Sequence, residues 1–267
     1  MPLYAISQVT DLEQIRAFLN TDRDYAAYAL GDLEPPYDDH ATWVAASRTG
    51  EIEGLALLYT SLDPVVLFLM GDRSAISALL MHGVGPREVF YTAKPDMESL
   101  LNTFYVLTQC VPMYRMRVTK RTFRVLEMNV RPQTSLLSTS HAQLIQDFIH
   151  ESVIVDGRSV AFLPDMVDDG YYHGVFQNEK LIAVAGTHLV AHQSGLAAVG
   201  NVLVHPDHRG KGLGTLVSEA VTGALLNDGF DTVVLNVSQD NAAAIHIYHR
   251  LGFEIAGEFI EGAAVRR

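Results

Sequence analysis

Apolar positions along this chain follow two rhythms, and the switches between them mark its elements. Spacing of three and four residues places one face of a helix toward a core, while short β-branched or alternating runs mark strands. In the first half, Thr10-Asp11-Leu12-Glu13 reads as a capping box ahead of a helix carrying Leu12, Ile15, Phe18 and Leu19. A second short helix over 25–30 closes at Gly31, and 34–39 is loop. Strands are expected over 42–47 and 52–60, joined at Arg48-Thr49-Gly50-Glu51, and over 65–70. A helix through Ile76, Leu79 and Leu80, a strand over 88–92 and a helix opened by Pro95 follow. Strands near 113–118 and 123–130 complete the half.

The second half repeats this order. Arg131 to Ser135 is polar and contains a proline, as a linker would. Thr139 or Ser140 can cap a helix with Leu144, Ile145, Phe148 and Ile149. Pro164 breaks the region 153–170 into loop and short helix. Strands are expected over 172–177, 181–189 and 196–204. Leu213, Leu216, Val217, Ala220, Val221, Ala224 and Leu225 then stripe one helix. A nearly continuous apolar run over 232–237 suits a parallel strand. Asn241 opens a helix with Ala244, Ile247, Tyr248 and Leu251 on one face, closed at Gly252, and a strand over 253–259 ends the pattern. The fold class is α/β (α+β), with two domains, 1–130 and 131–267.

Between strand 196–204 and its helix lies His205-Pro206-Asp207-His208-Arg209-Gly210-Lys211-Gly212-Leu213-Gly214. Glycines let the backbone approach a phosphate, and a helix start offers unpaired N–H groups and a positive dipole end. A Walker A loop needs Ser or Thr after its Gly-Lys, where this chain has Gly212. A dinucleotide fingerprint needs glycine where this chain has Thr215. The run Arg209-x-x-Gly212-x-Gly214, prefaced by Val204-His205-Pro206, resembles the pyrophosphate loop of the GNAT superfamily of N-acetyltransferases. A second stretch, Asn241-x-x-Ala244-x-x-x-Tyr248-x-x-x-Gly252-Phe253, resembles a later motif of the same superfamily.

The resemblance covers roughly 132–267, and element order alone extends it to the first half. It implies tandem GNAT-like domains, each a mixed, mostly antiparallel central sheet flanked by helices. The first half has only Gly71 where the anion loop would be, so it reads as a degenerate domain without a cofactor site. The implied reaction is direct transfer of an acetyl or other acyl group from acetyl-CoA to a primary amine of a small molecule or peptide. Val202, Leu203 and Val204 would bond the pantetheine arm, and an N–H there would polarise the thioester carbonyl. Arg209, Gly210, Lys211, Gly212, Leu213, Gly214 and Thr215 would hold the pyrophosphate, and Asn241 would contact the cofactor. Tyr248 would give a proton to the departing thiolate, from a phenol near pKa ~10 to a thiol near ~8.5.

Many relatives carry a glutamate in the strand before the second motif; this chain has Asn236, which takes no proton at neutral pH. Ordered water, an acidic residue of 153–170, or one of His188, His192, His205 and His246 remain options for the base. Asp156, Arg158, Phe162, Asp165, Asp168 and Asp169 are candidates for acceptor contacts. The absent glutamate also keeps open a noncatalytic acyl-CoA-binding module.

Composition narrows the partners. At 267 residues with 48% apolar and 19% charged residues, the chain has ample core. A net charge of -12 argues against nonspecific nucleic-acid binding. The single Cys110 allows no internal disulfide, no secretory signal opens the sequence, and Asp63-Pro64 interrupts its longest apolar stretch. A cytoplasmic setting with no membrane span is expected. Histidine spacing matches no metal motif, so no metal is expected.

Overall fold

The computed structural model describes the backbone of residues 4–127, 132–156 and 162–267. In chain order its elements are β1 (Ala5–Gln8), α1 (Leu12–Leu19), α2 (Ala27–Gly31), β2 (Ala41–Arg48), β3 (Glu51–Tyr59), β4 (Val66–Gly71), α3 (Arg73–Met81), β5 (Glu88–Ala93), α4 (Glu98–Phe104), β6 (Tyr105–Leu107) and β7 (Val111–Val118). Then come β8 (Ser135–Leu136), α5 (Ala142–Asp156), β9 (His173–Gln177), β10 (Lys180–Ala191), β11 (Leu196–Val204), α6 (Leu213–Asn227), β12 (Thr232–Ser238), α7 (Ala242–Arg250) and β13 (Glu254–Arg266).

The chain forms two compact units. The first is Met1–Arg115 with Ser238–Asp240 and Ala256–Arg267; the second is Met116–Val237 with Asn241–Ile255. This division departs from the sequence boundary at 130, because β13 runs on through Arg266 and most of it pairs with strands of the first unit.

In the first unit the strands run β1-β2-β3-β4-β5-β13, antiparallel except for β4 with β5, and β6 also pairs with β13. Two apolar layers cover its faces, one with Ile76, Leu79 and Leu101, the other with Ile15, Leu30 and Phe259. The turn from β4 into α3 is the single residue Asp72. Gly71 before it serves strand packing: a Cβ there would lie 2.3 Å from Glu53 O. Arg73 is held inside the unit, donating to Asp96 O (2.6 Å) and Ser99 Oγ (2.9 Å).

In the second unit the order is β8-β9-β10-β11-β12, antiparallel except for β11 with β12. One face carries a core of Leu137, Ile145, Phe148, Tyr172 and Val184 beneath α5. The other packs on α6, which contacts β9, β10 and β11 and has eleven of its fifteen residues buried, more than the stripe its sequence predicts.

Several local expectations shift. Asp11, not Thr10, caps α1, accepting from the N–H groups of Glu13 and Gln14. Ser138, not Thr139 or Ser140, opens the turn into α5, in a reciprocal box with His141. The expected strand over 123–130 is irregular through Glu127, and 128–130 lie outside the described residues. The donors of that segment are otherwise engaged: Arg124 N bonds Leu251 O (3.0 Å) and Leu126 N bonds Glu219 Oε2 (2.9 Å). The short strands β1 and β6, whose runs are too brief for a clear rhythm, escape the sequence reading.

Gly252 ends α7 at φ +92°, and a Cβ on it would lie 1.9 Å from Thr122 O. Gly252→Ala is therefore expected to destabilise the protein by about 2 kcal/mol or more in denaturant unfolding, through left-handed strain plus the clash. A loss below about 0.5 kcal/mol would contradict this close approach.

Candidate functional site

The anion loop is built from backbone geometry. β11 ends at Val204, His205 N is tied to Ile182 O (2.9 Å), and Pro206–His208 form one 3-10 turn. Gly210 (φ +74°) and Gly212 (φ +78°) are both left-handed, a conformation that favours glycine. Gly212 is the N-cap of α6, its carbonyl accepts from Leu216 N (3.1 Å), and no side chain caps the helix. The N–H groups of the first turn are therefore left for another acceptor. A Cβ on Gly210 would meet nothing within 4 Å, so the space beside the loop is open. Gly214 instead lies within the helix, where a Cβ would make ordinary contacts with Val204 (3.5 Å) and Ile247 (3.6 Å).

The basic side chains bend back on the loop. Arg209 Nε donates to Val204 O (3.2 Å) and Lys211 Nζ to Asp207 O (3.0 Å), and both residues are exposed. They stiffen the turn while keeping positive charge beside it. Leu213 and Thr215 belong to the first turn of α6 and their side chains are buried. Uncapped N–H groups, left-handed glycines, open space and two cations together fit a pyrophosphate of coenzyme A.

Above this loop the sheet forks. β11 and β12 pair from Leu196↔Thr232 to Val199↔Leu235, then continue to Val204 and Ser238 without pairing to each other. On its other edge β11 stays paired with β10 as far as Val204↔Ala183. The half-buried Val202, Leu203 and Val204 thus lie along one arm of the fork.

Two bulges shape that arm. Asn201 and Val202 stand between pairs that leave only Ala185 opposite, and His188 is the extra residue on β10. Asn201 holds φ +52°, a left-handed value that asparagine tolerates better than most side chains. Its amide is fixed at both ends: Nδ2 donates to the Tyr172 hydroxyl (2.8 Å), and Oδ1 lies 3.1 Å from His188 Nε2. The Tyr172 hydroxyl donates in turn to Thr187 O (3.2 Å). This direction of donors puts the hydrogen of the neutral His188 ring on Nε2. Burial lowers the His188 pKa, partly offset by the Asn201 bond, and burial pushes the Tyr172 phenol up. Both rings fit because glycines face them: a Cβ on Gly186 would lie 2.3 Å from the Tyr172 ring, and one on Gly200 2.3 Å from the His188 ring.

The remaining sequence candidates fall differently. Asn241 Oδ1 caps α7, accepting from Ala244 N (3.2 Å). Tyr248 is 7% exposed and its ring centroid lies 5.8 Å from that of Phe253, so it is also a packing residue. Asn236 is half-buried, and its Oδ1 is shielded from solvent with no hydrogen-bond partner, a state that costs about 1–3 kcal/mol. Phe162 packs edge-on against Tyr172 at 5.9 Å. Asp165 and Asp168 are exposed and Asp169 half-buried, while Arg158 and the Asp156 side chain lie outside the described residues. Of the four candidate histidines only His188 joins the fork: His192 packs on Phe230, His205 on His208, and His246 is exposed. Sequence reasoning did not single out Tyr172, Asn201, Gly186 or Gly200, although a lone glycine inside a strand is the usual sign of a bulge or close approach.

Among the described residues no group of His, Cys, Asp or Glu could hold a metal, and no helix is long and apolar enough to cross a membrane.

Residues 141–253 match the model of the Acetyltransferase (GNAT) family. A mycothiol acetyltransferase of Rhodococcus opacus is 39% identical over 79 residues, 28% of this chain and 26% of the relative. The [ribosomal protein bS18]-alanine N-acetyltransferase of Escherichia coli K12 is 39% identical over 80 residues, 30% of this chain and 52% of the relative. The matches thus span about a quarter to a half of these relatives' lengths. A solved tandem GNAT protein from the clavulanic acid biosynthesis pathway superposes with a TM-score of 0.59 at 12% identity, covering 99% of this chain and 98% of its own. Residues 141–253 are therefore a GNAT-family acetyltransferase domain, in a chain whose two halves both carry a GNAT-like fold.

Proposed function

We propose that this protein moves an acetyl or other acyl group from acetyl-CoA to a primary amine of a small molecule or peptide. The fork of β11 and β12, leading into an uncapped glycine turn, is the observation that carries this reading. When bound, acetyl-CoA supplies the thioester. The N–H groups from Gly210 to Thr215 hold the pyrophosphate, with Arg209 and Lys211 fixing the turn. Backbone groups of Val202, Leu203 and Val204 extend the sheet along the pantetheine arm, and the Val204 N–H polarises the thioester carbonyl. Asn241, its oxygen committed to α7, offers its amide hydrogens to the arm.

Position and polarisation supply most of the rate, without a covalent intermediate on the protein. The amine nitrogen bonds to the acyl carbon and the carbon–sulfur bond breaks. The sulfur takes the Tyr248 proton, and the proton shed by the amine restores the phenol through water. The matched relatives are named for a small molecule, mycothiol, and for a protein alanine, so both acceptor classes belong in the test.

Calorimetry with acetyl-CoA, followed by thiol release across an amine panel, tests the reading. Absence of binding at millimolar acetyl-CoA would overturn it, and tight binding without thiol release would point to an acyl-CoA sensor instead. Gly212→Glu is expected to abolish binding, because it puts a side chain and a negative charge in the phosphate seat at a left-handed position. Tyr248→Phe is expected to lower turnover by about 10- to 100-fold while sparing binding. Unchanged turnover in that variant would remove the phenol from the reaction.

A further inference from the structure

At the end of α7 opposite Asn241, about 13 Å along the helix, lies a cavity of about 420 Å³. It is walled by the close of α7, where His249 stands, by Glu254 at the start of β13, and by the turn after β7 that carries Arg121 and Arg124. All of these residues belong to the second unit. The turn is fixed by its backbone. Thr119 O accepts from Thr122 N (3.0 Å) and Phe123 N (2.9 Å), and Arg124 N donates to Leu251 O (3.0 Å). The Thr122 carbonyl fits against Gly252 because that residue has no Cβ. The backbone that presents the two arginines is therefore tied to the end of α7 before any ligand arrives, which lowers the ordering cost of binding.

The charge here runs against the rest of the chain. Arg117, Lys120, Arg121 and Arg124 are four of its 19 Lys and Arg residues, and no Asp or Glu lies among 117–124, although the net charge is -12. Arg121 and Arg124 are exposed, and neither side chain makes a hydrogen bond or ion pair with the described residues. Glu254 is the one acid on the wall, so the two guanidiniums outweigh it. His249 adds a chemical cue. Its Nδ1 lies 3.1 Å from Phe253 O, and a carbonyl oxygen only accepts, so Nδ1 carries the hydrogen of the neutral ring. Nε2 is then an acceptor with no partner among the described residues. A fitting ligand offers oxygens to two guanidiniums and a hydrogen to Nε2. Carboxylates, sulfate esters and the diesters of nucleic acids hold no such hydrogen at neutral pH. A phosphate monoester offers both, because its second proton leaves near pH ~6 and is readily shared with an imidazole.

We propose that this cavity binds a phosphate monoester group, carried by a small metabolite or by a phosphorylated side chain of a peptide. Arg121 and Arg124 take its oxygens, and His249 Nε2 shares its remaining proton. Glu254 opposes the anion from the same wall and limits its affinity. No covalent bond is made or broken. The site lies at the far end of α7 from the residue assigned to the cofactor, and it does not depend on the acyl-transfer reading.

Calorimetry on the full chain with phenyl phosphate, O-phosphoserine and a phosphoserine peptide tests the site, with phenyl sulfate and the unphosphorylated peptide as controls. The phosphates are expected to bind with Kd about 1 mM or tighter, and phenyl sulfate about tenfold more weakly. Arg121→Gln and Arg124→Gln are each expected to weaken phosphate binding about tenfold or more and to leave acetyl-CoA binding unchanged. Phosphate held at the glycine turn instead would be indifferent to both substitutions. Glu254→Gln is expected to tighten phosphate binding a few-fold. A peptide that binds about tenfold tighter than O-phosphoserine assigns the group to a protein partner, and equal affinity assigns it to a small ester; either upholds the site. Phosphate affinity unchanged in both arginine variants would overturn the site. So would phenyl sulfate binding as tightly as phenyl phosphate, or no uptake of any of the three phosphates at about 10 mM.

Discussion

The second unit depends on a parallel strand pair that stops exchanging hydrogen bonds partway along. After Val199 and Leu235 the two strands run on without each other, while β11 keeps its ladder with β10 to the end. Such an arrangement needs a holding force on one side and a reason for the gap on the other. The first comes from β10 and from the Asn201 amide, which is fixed at both ends within the bulge that bends the strand. The second follows from the proposed function: a strand edge with unpaired N–H and C=O groups can bind another extended chain, and a pantetheine arm with its amides would be one.

The loop below follows from the same logic. Left-handed glycines turn the chain sharply enough for α6 to begin at once, with its first N–H groups uncapped. The corresponding junction of the first unit shows what its absence looks like. There β4 passes into α3 through the single acidic residue Asp72, with no glycine turn between strand and helix. Gly71 is occupied by close contact with β3, and Arg73 is bound to Asp96 and Ser99. The same strand–helix–strand plan can therefore carry an anion seat or forgo it, according to the few residues between strand and helix.

Legibility in the sequence followed the range of the interactions. The strand over 196–204, its helix and the glycine turn were readable because local rhythm and local backbone demands define them. The two motifs gave the family because their residues act through positions close in the chain. The bulge at Asn201 was not readable, since it depends on register against β10 and on a ring arriving from Tyr172. The unpartnered oxygen of Asn236 was not readable either, since it depends on what other elements bring against that strand. The supposed strand over 123–130 failed for a related reason: its amides are taken by Leu251 and Glu219, far away in sequence. The unit boundary moved because β13 is one long strand whose far end pairs with β5 and β6.

The central claim is that one arm of the fork and the glycine turn grip coenzyme A through their backbone. Amide hydrogen exchange, read by mass spectrometry with and without saturating acetyl-CoA, tests it most directly. Slower exchange at Val202 to Val204 and at Gly210 to Thr215, with α3 and the strands beside it unchanged, is the expected result. Acetyl-CoA that binds while those amides exchange at their original rates would contradict the account.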